Sequence, residues 1–251
     1  MQIAKQILSL IDLTSLNDND NIDSIINLTK NATSTYGNVA AICIYSRFIS
    51  SAQKLLQKTN PKIKIATVCN FPHGSDDVDQ ALYEVSLALK RGTDEIDIVF
   101  PYHELMQGKS KIGFDLINQA KKLCVNKTLK VIIESGILKT ENLIELASRI
   151  SIEAGSDFIK TSTGKVPINA TLDAASIMLN TIKNNNSKCG FKASGGIKTV
   201  TDATKYLDLA SQIMGSTWIN SHTFRFGASG LLNDVMNILS NTNNIKTNLS
   251  Y

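Results

Sequence analysis

Residues 78–101 read VDQALYEVSLALKRGTDEIDIVFP and hold two patterns in succession. Apolar side chains recur every three or four positions from Val78 to Leu89, which is the spacing of one helix face, and Gly92 supplies a stop. The run Glu95–Pro101 that follows is short and rich in β-branched residues, which is typical of a strand. The stretch therefore predicts a helix, with Ser75 as its N-cap, followed at once by a strand.

The same alternation recurs along the whole chain. The candidate strands are Leu8–Leu13, Ala40–Tyr45, Ile63–Asn70, Glu95–Pro101, Leu129–Ser135, Asp157–Ser162, Gly190–Ser194 and a weaker run near Trp218–Phe226. Strand followed by helix, eight times over, predicts parallel strands joined by helical crossovers. In 251 residues this pattern fits an α/β fold, a (β/α)8 TIM barrel that forms a single domain over residues 1–251. A doubly wound open sheet is the alternative, disfavoured because no G-x-G-x-x-G follows the first strand.

Composition argues against several kinds of partner. The formal net charge is +4, and charged residues make up 19% of the chain. The densest basic groups, Lys121-Lys122 and Lys127 with Lys130, lack interleaved aromatic residues and are interpreted as solvated helix surface. No nucleic acid is therefore expected. No apolar run is long enough to span a bilayer, so no membrane partner is expected either.

Cysteine spacing and the chain end give two further expectations. The cysteines Cys43, Cys69, Cys124 and Cys189 stand far apart. They form neither a disulfide framework nor a metal pattern, and the three histidines lack ligand spacing, so a metal-free protein of a reducing cytoplasm is predicted. The Asn- and Ser-rich residues 240–251 are expected to form a flexible tail.

Two lysines are the leading catalytic candidates. Alternate strand residues face a barrel's lumen, and functional groups lie at the C-terminal strand ends. The sixth and seventh predicted strands place Lys160 and Lys192 on neighbouring positions, where two buried ammonium groups repel each other. The more buried one is then driven toward the neutral amine, which attacks carbonyl carbon. A lone strand lysine usually faces solvent, but two on successive strands favour a functional role.

Carboxylates on other strands complete the predicted lumen. Glu95 and Asp97 share one face of the fourth strand, where a carboxylate can balance the lysines and relay protons. A structural ion pair is the alternative interpretation. Asp12 and Thr14 share a face at the end of the first strand, and Cys43 is expected in the pocket wall rather than as a nucleophile.

Three glycine-containing loops predict an anion site. They are Thr163-Gly164-Lys165, Gly195-Gly196-Ile-Lys198 and Gly227-Ala-Ser229-Gly230. Glycines let backbone N–H groups approach a ligand, and TIM barrels often bind phosphate at the loops after strands seven and eight. A phosphate site is therefore expected at these loops.

These segments together resemble the deoxyribose-phosphate aldolase family. The matching motifs are Asp12–Thr14, Ala41–Tyr45, Thr67–Gly74, Glu95–Tyr102, Phe158–Lys165, Phe191–Gly196 and Arg225–Ser229. The resemblance runs in order from Leu8 to Gly230, and Phe158–Gly164 is its most specific part. It implies a class I aldolase on a TIM barrel, without metal or organic cofactor.

The resemblance also implies roles for single residues. Lys160 would form the Schiff base, Lys192 would favour its neutral amine, and Asp97 would relay protons with a water. The terminal Tyr251 would ride on a mobile tail and help move the C2 proton. The substrate-binding set would be Asp12, Thr14, Cys43, Thr163, Gly164, Lys165, Gly195, Gly196, Lys198, Gly227 and Ser229, with the phosphate on the glycine loops.

The implied reaction is reversible cleavage of 2-deoxy-D-ribose 5-phosphate to D-glyceraldehyde 3-phosphate and acetaldehyde, in deoxynucleoside catabolism, by a monomer or homodimer. Two departures bear on phosphate affinity: Lys198 stands where some relatives have arginine, and Gly230 where some have a second serine. Two alternatives stay open. One is another class I aldolase or a transaldolase with a different donor, and the other is a barrel that only binds a sugar phosphate.

Overall fold

The chain folds into a closed barrel of eight parallel strands. The computed structural model describes residues 1–185 and 188–248, with the backbone alone for residues 242–248. The strands are β1 (Ile11–Ser15), β2 (Ala41–Ile44), β3 (Lys64–Cys69), β4 (Glu95–Val99), β5 (Thr128–Ile132), β6 (Phe158–Lys160), β7 (Gly190–Ser194) and β8 (Phe224–Ala228). They follow one another around the barrel in chain order, and β8 pairs with β1. The predicted (β/α)8 fold is confirmed.

Helices form the outer layer. They are α1 (Gln2–Leu10), α2 (Ile22–Asn31), α3 (Ile49–Thr59), α4 (Val78–Lys90), α5 (Tyr102–Met106), α6 (Ser110–Leu123), α7 (Ser135–Leu138), α8 (Glu141–Glu153), α9 (Leu172–Asn184), α10 (Val200–Met214) and α11 (Leu231–Asn248). A small hairpin pairs Thr33–Ser34 with Gly37–Asn38. Within the described ranges, no helix is both long and apolar enough to cross a membrane.

The apolar core lies between the barrel wall and the helices. On β4, Ile96 and Ile98 point outward into this core, where they join helix residues such as Val85 and Ile117. The alternate positions of the same strand, Glu95 and Asp97, are also buried. Strand alternation therefore sends the apolar side chains to the helices and leaves the lumen to charged ones.

The predicted start of the first strand is wrong. Leu8–Leu10 end α1, and β1 begins only at Ile11. The helix buries Ala4, Ile7 and Leu8 on one face. The first part of the apolar run Leu8–Leu13 therefore belongs to a helix and only its second part to a strand. A short apolar run by itself does not distinguish the two structures.

Two other local expectations also need correction. β8 begins at Phe224, because Trp218 ends a short 3-10 turn instead of opening the strand. Asp77, rather than Ser75, caps α4, and its side chain accepts a hydrogen bond from the Gln80 N–H at 3.0 Å. Ser75 instead accepts from the Asp77 N–H at 3.1 Å, which fixes the turn before the helix.

The C-terminal segment continues the last helix. Residues 240–248, where the sequence predicts a flexible tail, belong to α11. Leu249–Tyr251 lie outside the described residues. The single domain over residues 1–251 and the mobility of its tail therefore stay predictions.

Close packing between α6 and the end of β4 gives a stability prediction. A Cβ atom on Gly113 would lie 2.0 Å from Cζ of Phe100, whose ring is fully buried. We expect Gly113→Ala to lower the free energy of unfolding by about 1–3 kcal/mol, because overpacking outweighs the better helix propensity of alanine. Urea unfolding measures the change.

Two further variants control this prediction. Gln119→Ala, at an exposed position of the same helix, should change stability by no more than about 0.5 kcal/mol. In a Phe100→Leu background, the cost of Gly113→Ala should shrink, because the smaller side chain leaves room. A Gly113→Ala protein as stable as the original would contradict the contact.

Candidate active site

Seven charged side chains meet inside the barrel. They are Asp12, Glu95, Asp97, Lys130, Lys160, Lys192 and Arg225, and none is more than 5% exposed. Four are cations and three are carboxylates, so this cluster, which we call the lumen cluster, carries one excess positive charge when all its members are ionised. Charges this deeply buried are tolerated only when they are paired and hydrogen-bonded.

Asp97 lies at the centre of the lumen cluster. Its Oδ2 accepts hydrogen bonds from Lys160 and Lys192, each at 2.8 Å, and its Oδ1 accepts one from Lys130 at 2.9 Å. Register explains the meeting, because Lys160 and Lys192 are paired positions of β6 and β7, and Asp97 and Lys130 are paired positions of β4 and β5. Burial alone would raise the pKa of Asp97, but the three ammonium groups hold that pKa well below its usual range.

Asp12 ties the cluster to the last strand. Its carboxylate accepts from Lys192 at 2.5 Å and from Arg225 at 2.5 Å. Burial raises the pKa of Asp12, but the two cations lower it more, so the net shift is downward. Burial likewise lowers the pKa of Lys192, and Asp12 and Asp97 together raise it above its ordinary value. Lys192 is therefore held as an ammonium group.

Lys130 is a member that the sequence interpretation placed wrongly. It is fully buried on β5, 2.5 Å from Glu95 and 2.9 Å from Asp97, and does not lie on a solvated helix surface. It falls inside the predicted strand Leu129–Ser135, where period two sets it on the face opposite Leu129. That alternation was the signal that could have found it.

Arg225 was quoted within a motif but not selected as a site residue. It stands beside Lys192 in the β7–β8 register and donates to Glu95 at 3.0 Å. Gly227, two residues further on, makes room for the cluster, because a Cβ atom there would lie 3.0 Å from Cε of Lys192 and 2.6 Å from Oγ of Ser194. A glycine is required here for close approach.

A cavity of about 490 Å³ opens at the C-terminal strand ends. The predicted residues that line it are Thr14, Thr163, Gly164, Lys165, Gly195, Gly196, Lys198, Gly227 and Ser229. Sequence reasoning did not select Leu16, Asn17, Asn169, Ile197 and Ala228, which also line it. We call this space the loop cavity. It brings the three glycine loops together, as the sequence predicts.

Backbone conformation prepares the loop cavity for an anion. Gly164, Gly195 and Gly196 all have φ of +84°, a region that other residues rarely adopt. In the described part of the chain, the N–H groups of Gly164 and Gly196 have no protein acceptor. The Lys165 ammonium donates to the carbonyl oxygen of Leu16 at 2.7 Å, which joins two loops around the cavity. Free N–H groups and lysines favour a negatively charged ligand.

The remaining predicted residues lie elsewhere. Asp12 is in the lumen cluster, and Tyr251 lies outside the described residues. Cys43 is fully buried beside an apolar group formed by Leu16, Ala66 and Val68. Burial raises the pKa of its thiol to about 11, so the side chain is protonated at neutral pH. Cys43 does not line the loop cavity, and its place in a pocket wall stays a prediction.

A larger cavity, about 770 Å³, lies at the opposite mouth of the barrel. Exposed residues such as Lys62, Lys64 and His222 line its rim, and Glu95 and Arg225 lie at its floor. Neither Lys160 nor Lys192 lines this cavity. Functional groups of TIM barrels lie at the C-terminal strand ends. We therefore assign the chemistry to the smaller loop cavity and the lumen cluster below it.

Comparisons with known proteins agree with this geometry. A sequence model described as DeoC/LacD family aldolase matches residues 6–235. A candidate deoxyribose-phosphate aldolase of Coccidioides immitis is 28% identical, with a TM-score of 0.82 over 93% of this chain and 87% of that one. A candidate deoxyribose-phosphate aldolase of Toxoplasma gondii is 22% identical, with a TM-score of 0.85 over 95% and 93% of the chains. The tetrameric deoxyribose phosphate aldolase of Aeropyrum pernix is 22% identical, with a TM-score of 0.77 over 96% and 94%.

The lumen cluster predicts a large stability cost when one cation is removed. Lys130→Met would remove one cation from both Glu95 and Asp97, which would keep Arg225 and the other two lysines as partners. We therefore expect a loss of about 3 kcal/mol in the free energy of unfolding. The double variant with Glu95→Gln should lose less than the sum of the two single changes, because the pair is removed together.

Urea unfolding of the single and double variants measures this coupling. Lys111→Met is the matched control: it breaks a bridge to Asp115, but its side chain is 83% exposed, so the change should stay below about 1 kcal/mol. Strictly additive losses for Lys130 and Glu95 would show that their ion pair is not coupled in solution.

Proposed function

The chain belongs to the DeoC/LacD family of aldolases, and from that premise we propose that it cleaves 2-deoxy-D-ribose 5-phosphate reversibly to D-glyceraldehyde 3-phosphate and acetaldehyde through a Schiff base on Lys160. The observation that carries the proposal is the shared carboxylate oxygen: Lys160 and Lys192 both donate to Oδ2 of Asp97. They do so on strands that run directly into the loop cavity. The deoxyribose-phosphate aldolases among the structural neighbours support the choice of substrate.

Lys160 is the amine with the weakest compensation in the lumen cluster. It contacts a single carboxylate oxygen and shares that oxygen with Lys192. Lys192 has a second carboxylate in Asp12, and Lys130 has Glu95 as well as Asp97. The cluster holds one cation more than it has carboxylates, and Lys160 is the lysine with the fewest carboxylate contacts. We therefore propose Lys160 as the nucleophile, which attacks as its amine.

The reaction proceeds without an added oxidant or reductant. Lys160 adds to C1 of the open-chain aldehyde, and loss of water gives a protonated imine. Removal of the proton from the C3 hydroxyl lets the C2–C3 bond break, its electron pair moving toward the imine nitrogen. C3 becomes the aldehyde carbon of glyceraldehyde 3-phosphate, and C1 and C2 remain on Lys160 as an enamine. Protonation at C2 and hydrolysis of the imine then release acetaldehyde.

Asp97 is the group through which we propose that these protons move. With three ammonium partners, its lowered pKa means that it does not hold a proton at neutral pH. Conversion of Lys160 from an ammonium group to a neutral imine or enamine nitrogen would remove one partner and raise the proton affinity of Asp97. The carboxylate then becomes a better base, directly or through a water, at the step that needs one.

The loop cavity is the proposed site of the 5-phosphate. Backbone N–H groups of Gly164 and Gly196 would donate to its oxygens, and Lys165 and Lys198 would balance its charge. Ser229, on the loop after β8, lines the same cavity. Thr14, Thr163, Gly195 and Gly227 also line it.

The apolar group beside Cys43 favours a small apolar donor. Leu16, Ala66, Val68 and Cys43 form a buried cluster with no charged member, and Tyr45 and Phe71 pack against it. A methyl group placed beside these side chains would need no hydrogen-bond partner, whereas the extra hydroxyls of a ketone donor such as dihydroxyacetone would need such partners. This supports acetaldehyde over the donors of other class I aldolases and transaldolases. The alternative of a barrel that only binds a sugar phosphate is not retained, because the family is one of aldolases.

Three further expectations belong to this proposal. Tyr251 would assist protonation at C2 from a mobile tail. The enzyme would be cytoplasmic, in agreement with four cysteines that form no disulfide among the described residues. It would form a monomer or a homodimer, although the Aeropyrum pernix relative is tetrameric, and light scattering distinguishes these states.

Reduction with borohydride in the presence of acetaldehyde tests the Schiff base. We expect one ethyl adduct, located on Lys160 by peptide mass mapping, because this lysine has fewer carboxylate contacts than Lys130 or Lys192 and lies on the strand that leads into the loop cavity. The adduct should be absent from Lys160→Met and should form more slowly in Lys192→Met, which lacks the neighbouring cation.

Two controls make the trapping result specific. The exposed Lys111 should remain unmodified at the acetaldehyde concentration that saturates Lys160, and dihydroxyacetone should give no adduct. Ethyl groups spread over exposed lysines, with none on Lys160 of the folded protein, would refute the proposed nucleophile.

Substitution of Lys198 tests the phosphate site. Lys198→Ala should raise KM for the phosphorylated sugar about tenfold with kcat nearly unchanged, because a charge partner is lost from binding alone. Lys198→Arg should lower KM, because a guanidinium group can hold two phosphate oxygens at once. Lys205→Ala, which removes an exposed lysine of α10, is the control and should leave KM unchanged. An unaltered KM in Lys198→Ala would place the phosphate elsewhere.

A further inference from the structure

Glu134 is a buried carboxylate that the proposed mechanism does not use. It stands two residues after β5, at the end of the barrel where β6 carries Lys160, and none of its surface is exposed. Its backbone is left-handed, with φ of 55° and ψ of 57°. Residues other than glycine, asparagine and aspartate rarely adopt this backbone conformation, and glycine adopts it without strain. A glutamate kept in a strained position indicates that its side chain has a task there.

The side chain holds one residue of the neighbouring loop. Both carboxylate oxygens lie 3.3 Å from the Thr163 N–H, and one of them accepts from the Thr163 hydroxyl at 2.5 Å. Thr163 is the residue immediately before Gly164 and Lys165. Glu134 therefore fixes the point at which the loop leaves the barrel.

This contact also decides the direction of the next hydrogen bond. The Thr163 hydroxyl donates its proton to a carboxylate oxygen of Glu134. Its lone pairs then accept from the Lys165 N–H, at 3.1 Å. The N–H groups on either side of Gly164 are thereby engaged within the protein. The Gly164 N–H between them has no acceptor among the described residues and is left for a ligand.

We propose that Glu134 is a positioning residue that sets the preference of the enzyme for a phosphorylated substrate, by holding the Thr163–Lys165 loop in the shape that presents the Gly164 N–H to the phosphate. The inference rests on the proposed function, which places the 5-phosphate in the loop cavity. Glu134 acts through Thr163 and does not touch the substrate.

Electrostatics alone would give the opposite role. A carboxylate near a phosphate dianion repels it, so replacing Glu134 with a neutral residue would tighten phosphate binding if charge were the dominant effect. Loop geometry predicts instead that the neutral variant binds phosphate less well. The two accounts differ in the sign of the effect, so one substitution distinguishes them.

Two variants of Glu134 serve the test. Glu134→Gln keeps the shape of the side chain but offers Thr163 one acceptor oxygen in place of two. Its amide N–H groups are donors and cannot accept from Thr163. Glu134→Gly removes the carboxylate entirely, and it relieves the left-handed strain, which favours a folded protein. Asp157→Asn is the matched control: Asp157 also accepts a backbone N–H, from Leu129 at 2.8 Å, but precedes β6 at the opposite end of the barrel.

The measurement is kcat/KM for 2-deoxyribose 5-phosphate and for unphosphorylated 2-deoxyribose, in the original enzyme and the three variants. We expect both Glu134 variants to lower the ratio of the two values about tenfold, through KM for the phosphorylated sugar. Borohydride trapping of acetaldehyde on Lys160 should be unchanged in them, because the lumen cluster is intact. Asp157→Asn should leave the ratio as it is.

Each other outcome overturns the inference in a recognisable way. A higher ratio in Glu134→Gln would show that charge, not loop geometry, is the effect of this residue. An equal loss for both sugars, or an unchanged ratio, would show that Glu134 has no part in phosphate preference. An original enzyme with no preference for the phosphorylated sugar would overturn the proposed phosphate site as well, whereas the preceding outcomes leave that site standing.

Discussion

The carboxylate of Asp97, shared by three ammonium groups, is the interaction on which the rest of the barrel depends. TIM barrels usually fill the lumen with layers of branched aliphatic side chains, but here the centre is occupied by seven charged ones. Three lysines that point inward from β5, β6 and β7 would repel one another without a carboxylate among them. Asp97 supplies it, and Asp12 and Glu95 extend the pairing to Arg225. The fold must then obtain its apolar stabilisation from the outer layer, where strands and helices form one continuous core.

The same pairing makes the lumen reactive. A fully balanced cluster would have no reason to release a proton, but four cations against three carboxylates leave one ammonium group poorly compensated. The pairing distances single out Lys160, on the strand that leads into the loop cavity. Among the described residues its one carboxylate contact is with Asp97, which it shares with Lys192. In the proposed mechanism, structural and chemical roles therefore coincide: the ion pairs that make burial of the lysines tolerable also leave Lys160 with the fewest carboxylate contacts.

Much of this arrangement follows from strand periodicity in the sequence. Period two places Lys160, Lys192 and Asp97 on lumen faces, and glycines after three strands mark the loop cavity. What periodicity does not supply is register between strands, which sets the distances. Asp97 meets Lys130 because the two are paired positions of β4 and β5, and the sequence interpretation assigned that lysine to a helix surface instead. Glu134 was missed for a different reason: its importance lies in a backbone conformation that no local pattern of glutamate predicts.

Strand residues and loop residues of the site act in different ways, and this explains why the sequence predicts the first more readily than the second. Strand residues act from fixed positions, so their type and spacing reveal them. Loop residues act through backbone N–H groups, whose direction depends on φ and ψ rather than on the side chain. At Gly164, Gly195 and Gly196 the positive φ makes that direction accessible, but it does not hold it, because glycine is also the most flexible residue. A loop that must present an N–H group to a ligand therefore needs an anchor outside itself. For the loop after β6, the contact between Glu134 and Thr163 supplies such an anchor, from a residue that follows the neighbouring strand β5.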